Sequence, residues 1–192
     1  MMARPGLGIL GSGKGSNCRA ILESIAKRVL RAEARIGISD VPDSGILHVA
    51  REFDVTAAYL PPGKFRTKLA AEAEIELGQI LRDAGVDWVV LAGWMRVLKE
   101  PMLQAFPHRI LNIHPSLLPK FPGLEAWKQA LAAGETITGC TVHYVDAGVD
   151  SGEIIAQREV PILPDDTPET LHARIQIAER ELYPTAIRQV CA

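Results

Sequence analysis

Apolar and polar positions alternate in blocks along this chain, and the period of the blocks changes from one to the next. Gly6–Leu10 is a short apolar run of strand length, followed by the glycine-rich stretch Gly11-Ser-Gly-Lys-Gly-Ser-Asn. Cys18, Ile21, Leu22, Ile25, Ala26 and Val29 then fall at helical spacing, which predicts an amphipathic helix with one buried face. The rhythm repeats. Ala34–Ser39 reads as a strand, Ile46–Phe53 as a helix, Thr56–Leu60 as a strand closed by Pro61-Pro62-Gly63, and Lys64–Asp83 as a long helix with Gly85 as its C-cap. Trp88–Ala92 is almost wholly apolar, as expected of a strand buried on both faces, and Arg109–Ile113 is a fifth strand.

The rhythm then changes. Glu125–Ala133 reads as a helix. Thr136–Val145 and Glu153–Pro161 read as strands whose short Asp/Gly-rich connection suits antiparallel pairing, and Thr167–Val190 closes as a helix that Pro184 should kink or end. Strand–helix alternation followed by a hairpin predicts an α/β chain: a Rossmann-like, mostly parallel sheet of about seven strands, with helices on both faces and a C-terminal antiparallel hairpin. With no repeat or linker visible, residues 1–192 are expected to form a single domain, with a phosphate-binding part to about residue 105 and a catalytic part beyond. Ligands of such sheets bind at the carboxyl ends of the strands, near the point where strand order reverses.

Composition narrows the function. The 192 residues carry 21 basic and 23 acidic side chains, a net charge of −2, which argues against a grip on nucleic-acid phosphates. The three cysteines are scattered without a CxxC, so neither a disulfide framework nor a zinc cluster is expected, and no metal is assigned. No signal peptide or membrane-length apolar run is seen, which gives a cytoplasmic expectation with no membrane partner.

Candidate chemistry sits where the pattern places strand ends. Asn112 and His114, two apart at the carboxyl end of the fifth strand, project on one side, where an amide and an imidazole can bind an oxygen that develops charge. The glycines of Gly11–Asn17 let a backbone approach an anion at a helix N-terminus, with Lys14, Ser16 and Asn17 adding donors. The loop fits neither a Walker A motif nor a clean dinucleotide fingerprint. Leu91-Ala-Gly-Trp-Met-Arg-Val-Leu offers an apolar wall with one guanidinium, and Asp146–Gly152 is an acidic hairpin tip whose Asp150 matters if it reaches His114 and raises its pKa. Gln176 and Glu179 share a face of the last helix. The remaining histidines (His48, His108, His143 and His172) read as packing or surface residues.

Taken together, Gly13-Lys-Gly-Ser-Asn, Leu91-Ala-Gly-Trp-Met-Arg, Leu111-Asn-Ile-His-Pro-Ser-Leu-Leu-Pro, Phe121-Pro-Gly-Leu and Val142-His-Tyr-Val with Asp150-Ser-Gly resemble the phosphoribosylglycinamide formyltransferase family, folate-dependent enzymes of purine synthesis. The resemblance covers nearly the whole chain. It implies a catalytic set of Asn112, His114 and Asp150, and a substrate site of Gly15, Ser16, Asn17, Gln176 and Glu179. It further implies a folate site of Lys68 (with Arg66 as competitor), Met95, Arg96, Val97, Leu98, Asn112 and Asp146. The implied formyl donor is 10-formyltetrahydrofolate, the partners are small molecules, and the assembly is a monomer or homodimer. Two departures stand out: Glu125 where many members have His, and a short segment after the last helix. A formyltetrahydrofolate hydrolase would use similar residues with water as acceptor. A methionyl-tRNA formyltransferase would need a basic tRNA-binding domain, and a non-catalytic dinucleotide module a better glycine fingerprint.

Overall fold

The computed structural model describes residues 4–191. Its elements run β1 (Gly6–Leu10), α1 (Ser16–Ala26), β2 (Glu33–Ser39), α2 (Gly45–Glu52), β3 (Thr56–Tyr59), α3 (Ala71–Asp83), β4 (Trp88–Leu91), α4 (Glu100–Ala105), β5 (Ile110–His114), α5 (Ala126–Ala132), β6 (Ile137–Tyr144), β7 (Ile154–Pro161) and α6 (Pro168–Val190). The strands form one seven-stranded sheet in the order β3-β2-β1-β4-β5-β6-β7. The first five are parallel, and β6 and β7 add antiparallel. The chain leaves β1 toward β2 on one side and returns at β4 on the other, so the order reverses between β1 and β4.

Both faces of the parallel sheet are covered, which is why its strands read as continuous apolar runs. Leu7, Ile9, Val90, Leu111 and Ile113 pack with α1, α2 and α6 on one face. Leu10, Ile38, Val89, Leu91 and Ile110 pack with α3 and α4 on the other. The buried Tyr183 of α6 places its hydroxyl 2.9 Å from the Leu91 carbonyl and 3.1 Å from that of Leu111, tying the last helix to the carboxyl ends of β4 and β5.

The structure departs from the sequence reading in two places. Residues 64–70 are not helical, and α3 begins only at Ala71. Lys68 instead forms an isolated parallel bridge with Val97, the Val97 amide donates to the Thr67 carbonyl, and the Arg96 guanidinium donates to the carbonyls of Phe65, Arg66 and Lys68. Carbonyls committed to a neighbouring loop cannot close helical turns, so tertiary bonding overrides a helix-favouring composition. The short helix α4, with Pro101 in its first turn, has no counterpart in the sequence pattern. The closing helix does extend to Val190 as the sequence pattern expects, running through Pro184, with Leu171, Ile175, Tyr183, Ala186 and Ile187 buried along it.

Candidate active site

Strand β5 carries its polar pair as alternation requires. Ile110 enters the core between β5 and α3/α4, and Asn112 and His114 follow on the same face. The antiparallel register sets His143 of β6 opposite Asn112 and Thr141 opposite His114, so all four side chains share one side of the sheet.

Asp150 does reach this group, although it lies 36 positions beyond His114 on the β6–β7 connection. Its Oδ2 is 3.3 Å from His114 Nδ1 and accepts from the Gly123 amide at 2.8 Å. Its Oδ1 accepts from Asn112 Nδ2 at 3.5 Å. Asp150 is held in the left-handed region, with φ of 51°. The long bonds to Asn112 and His114, beside a short one to Gly123, describe a carboxylate anchored by backbone and lightly held by the catalytic pair.

The His114 ring is sandwiched between acceptors: Nε2–H donates to the Phe121 carbonyl at 2.9 Å, and Nδ1 faces Asp150. Only an imidazolium could donate to both. Burial nevertheless holds the ring below the usual histidine range, against the upward pull of the Phe121 carbonyl and the Asp150 charge, and His143 adds to the depression. The expectation of a pKa raised by Asp150 is therefore corrected: desolvation wins, because the side chain is only 6% exposed. For Asp150, burial pushes the carboxyl up. The His143 ring, 3.7 Å from Oδ1, the His114 charge and the Gly123 amide outweigh it and leave the carboxyl below its ordinary value.

His143, expected from sequence to be a packing residue, is part of this site. Its Nδ1–H donates to the Tyr144 carbonyl at 2.8 Å, which leaves Nε2 to accept from Asn112 Nδ2 at 3.2 Å. It thereby fixes which way the Asn112 amide points. Strand register is the signal that could have found it, since a polar residue opposite Asn112 in an antiparallel pair must share its face.

At the other strand ends, the β1–α1 loop delivers an open helix terminus. Gly15 precedes α1 with φ of 80°, and no side chain caps the first turn. A Cβ on Gly11 would stand 2.6 Å from the Ala92 carbonyl, so close approach of β1 to β4 requires glycine there. Asn17 Nδ2 donates to Glu179 Oε2 at 3.0 Å across α1 and α6, both residues buried, while Asn17 Oδ1 has no partner. Burial pushes the Glu179 carboxyl up to about 7, against the Asn17 hydrogen bond. Gln176 Nε2 lies 3.3 Å from His172 Nε2 on the same helix. A groove of about 740 Å³ runs from Lys14, Gly15 and Ser16 between α1 and α6, away from His114.

Of the residues assigned to a folate wall, Met95 is exposed, Val97 is half-buried and Leu98 is in the core. The Arg96 side chain does not face an open pocket. It pairs with Asp40 at 2.5 Å and binds the three carbonyls of the 65–68 segment. Asp40 also accepts from Ser12 Oγ at 2.6 Å, and that hydroxyl accepts from the Met95 amide, so one small network joins the loops after β1, β2 and β4. Lys68 Nζ sits 4.6 Å from the centre of the Phe65 ring. Asp146 accepts from the Gly148 amide and the Ser151 hydroxyl, closing the turn that carries Asp150.

A seven-stranded, mostly parallel sheet with an Asn/His/Asp cluster at β5 and an open helix terminus beside β1 defines a class of group-transfer protein. Residues 7–187 match the formyl transferase family, and the chain belongs to that family. It is 40% identical to the phosphoribosylglycinamide formyltransferase of Bacillus subtilis over 95% of this chain and 92% of that one. It is 44% identical to the trifunctional purine biosynthetic protein adenosine-3 of Drosophila pseudoobscura pseudoobscura, covering 96% of this chain but only 14% of the longer protein. Among solved structures, glycinamide ribonucleotide transformylase 1 from Symbiobacterium toebii superposes with a TM-score of 0.93 at 46% identity, covering 98% of this chain and 88% of that one. Phosphoribosylglycinamide formyltransferase from Bacillus halodurans superposes at 0.91 and 40% identity, over 97% and 95%. Among the described residues, no helix is long and apolar enough to cross a membrane.

Proposed function

We propose that this chain is a cytoplasmic, single-domain enzyme of de novo purine synthesis. It transfers the formyl group of 10-formyltetrahydrofolate to the amine of 5'-phosphoribosylglycinamide, giving formylglycinamide ribonucleotide and tetrahydrofolate. The observation that carries this reading is the meeting of Asn112, His114 and Asp150 within 3.5 Å at the end of β5.

The substrate amine attacks the formyl carbon, and negative charge develops on the former carbonyl oxygen. Asn112, its amide oriented by His143, donates to that oxygen. The His114 ring, kept neutral by burial, takes the proton that the attacking nitrogen loses and passes it to the folate nitrogen that leaves. Asp150 steadies the imidazolium in between. Gly15, Ser16 and Asn17 hold the substrate phosphate at the first turn of α1, and Gln176 and Glu179 take the ribose and glycinamide end. This remote anchoring lowers the entropic part of the barrier. Met95 and Val97 wall the folate ring, backed by the core residue Leu98, with Asp146 and Lys68 at its edge. Arg96 acts through the network that holds residues 65–68 against this wall.

The test is a spectroscopic assay with a 10-formylfolate donor, with and without glycinamide ribonucleotide. Acceptor-dependent turnover is expected. Donor consumption at the same rate without acceptor would replace the transferase by a hydrolase.

A further inference from the structure

Trp127 and His172 have no place in the chemistry above, yet they form a built feature beside it. The indole of Trp127 on α5 and the imidazole of His172 on α6 stack face to face, with centroids 3.6 Å apart and planes within 3°. Such a stack holds a histidine in one orientation near the start of a helix. Gln176 Nε2 donates to His172 Nε2 at 3.3 Å, which places the proton of the neutral ring on Nδ1. His172, Gln176 and Glu179 fall at i, i+4 and i+7, one row along α6, and the row ends on Asn17 in the first turn of α1. Asn17 is more than nine-tenths buried and its Oδ1 lacks a partner. Lys14 acts on His172 from the glycine loop. Burial, and then the Lys14 charge, hold the imidazole below its usual range. Nearby, α5 contributes Lys128, paired with Glu125, and α6 contributes Glu169.

Lys14, which is charged, and His172, which can become so, thus lie near an uncapped helix terminus. An anion placed there would relieve the repulsion between Lys14 and His172 and favour the imidazolium, and the Trp127 face would stabilise that cation in place of water.

We propose that His172, clamped by Trp127, is a specificity-determining residue that binds the phosphate monoester of the amine substrate together with Lys14 and the first turn of α1. The identity of the full substrate rests on the transferase reading; the phosphate selectivity does not. Binding protonates His172, so affinity for phosphate monoesters includes a component that is lost as pH rises.

The probe is ribose 5-phosphate, with ribose as control, titrated into the full chain while tryptophan fluorescence is read. Protonation of His172 against the indole is expected to quench emission in the parent protein and not in Trp127→Phe. His172→Asn should weaken ribose 5-phosphate binding at least tenfold at pH 6.5, and the gap should narrow toward pH 9. In turnover, the same variant should raise KM for the phosphorylated amine about tenfold and leave kcat within twofold. Equal binding by parent and His172→Asn at matched melting temperature overturns the proposal, as does a weakening that is the same at every pH, which would mark a structural role. If no formyl transfer is found but the phosphate-dependent quench persists, the transferase reading falls and this inference stands.

Discussion

Asp150→Asn removes one charge while preserving shape, and the structure lets its effect be worked out. The carboxylate lies 3.3 Å from His114 Nδ1, and both side chains are largely buried, at 13% and 6% exposed. At an effective dielectric of about 20, a unit charge pair at that distance interacts by roughly 5 kcal/mol, an upper limit for the support Asp150 gives to the imidazolium. The carbonyl oxygen of the substituted amide can still accept from Gly123, so the loop anchor survives. Burial already depresses the His114 pKa. Losing the carboxylate, whose charge pulls the pKa upward, must depress it further. If His114 carries the transferred proton, turnover falls by on the order of 100-fold or more, comparable to removing one oxyanion donor. The assays are kcat in the acceptor-dependent reaction and the pKa of the His114 ring by NMR, with melting temperature as the folding control. A His114 pKa that stays put or rises would refute the electrostatic reasoning. A kcat within threefold of the parent, in a folded variant, would refute the role of the pair.

Two further perturbations probe the frame around the site. The Glu179 carboxyl has a folded pKa of about 7, raised by burial above the roughly 4.3 of an unfolded glutamate. Its contribution to stability is therefore fully present below the unfolded pKa and lost as pH rises through about 7. Glu179→Gln should match the parent near pH 4 and exceed it by about 3 kcal/mol above pH 8 in urea unfolding, and a difference independent of pH would contradict the assignment. Arg96→Lys keeps the charge but loses the planar fork that joins Asp40 to three carbonyls; it should cost on the order of 2 kcal/mol and weaken folate binding more than phosphate binding. Unchanged urea stability in that variant would show that the network holds nothing in place.

The spacing of apolar positions dictates which stretches become strands and helices, because burial of one face is a local demand on sequence. Gly6–Leu10, Trp88–Ala92 and Arg109–Ile113 read as strands for that reason, and the two-residue step from Asn112 to His114 places both on one face. The glycines before Ser16 likewise announce an open helix terminus. Packing in three dimensions supplies what no local window carries. It draws residues 64–70 out of a helix by giving their carbonyls to Arg96. It brings Asp150 back across the hairpin to His114 and sets His143 beside Asn112 through antiparallel register. It also reverses the expected shift of His114. The sign of that shift depends on whether a neighbouring charge or the loss of water dominates, and the extent of water loss is set by everything that packs around the ring.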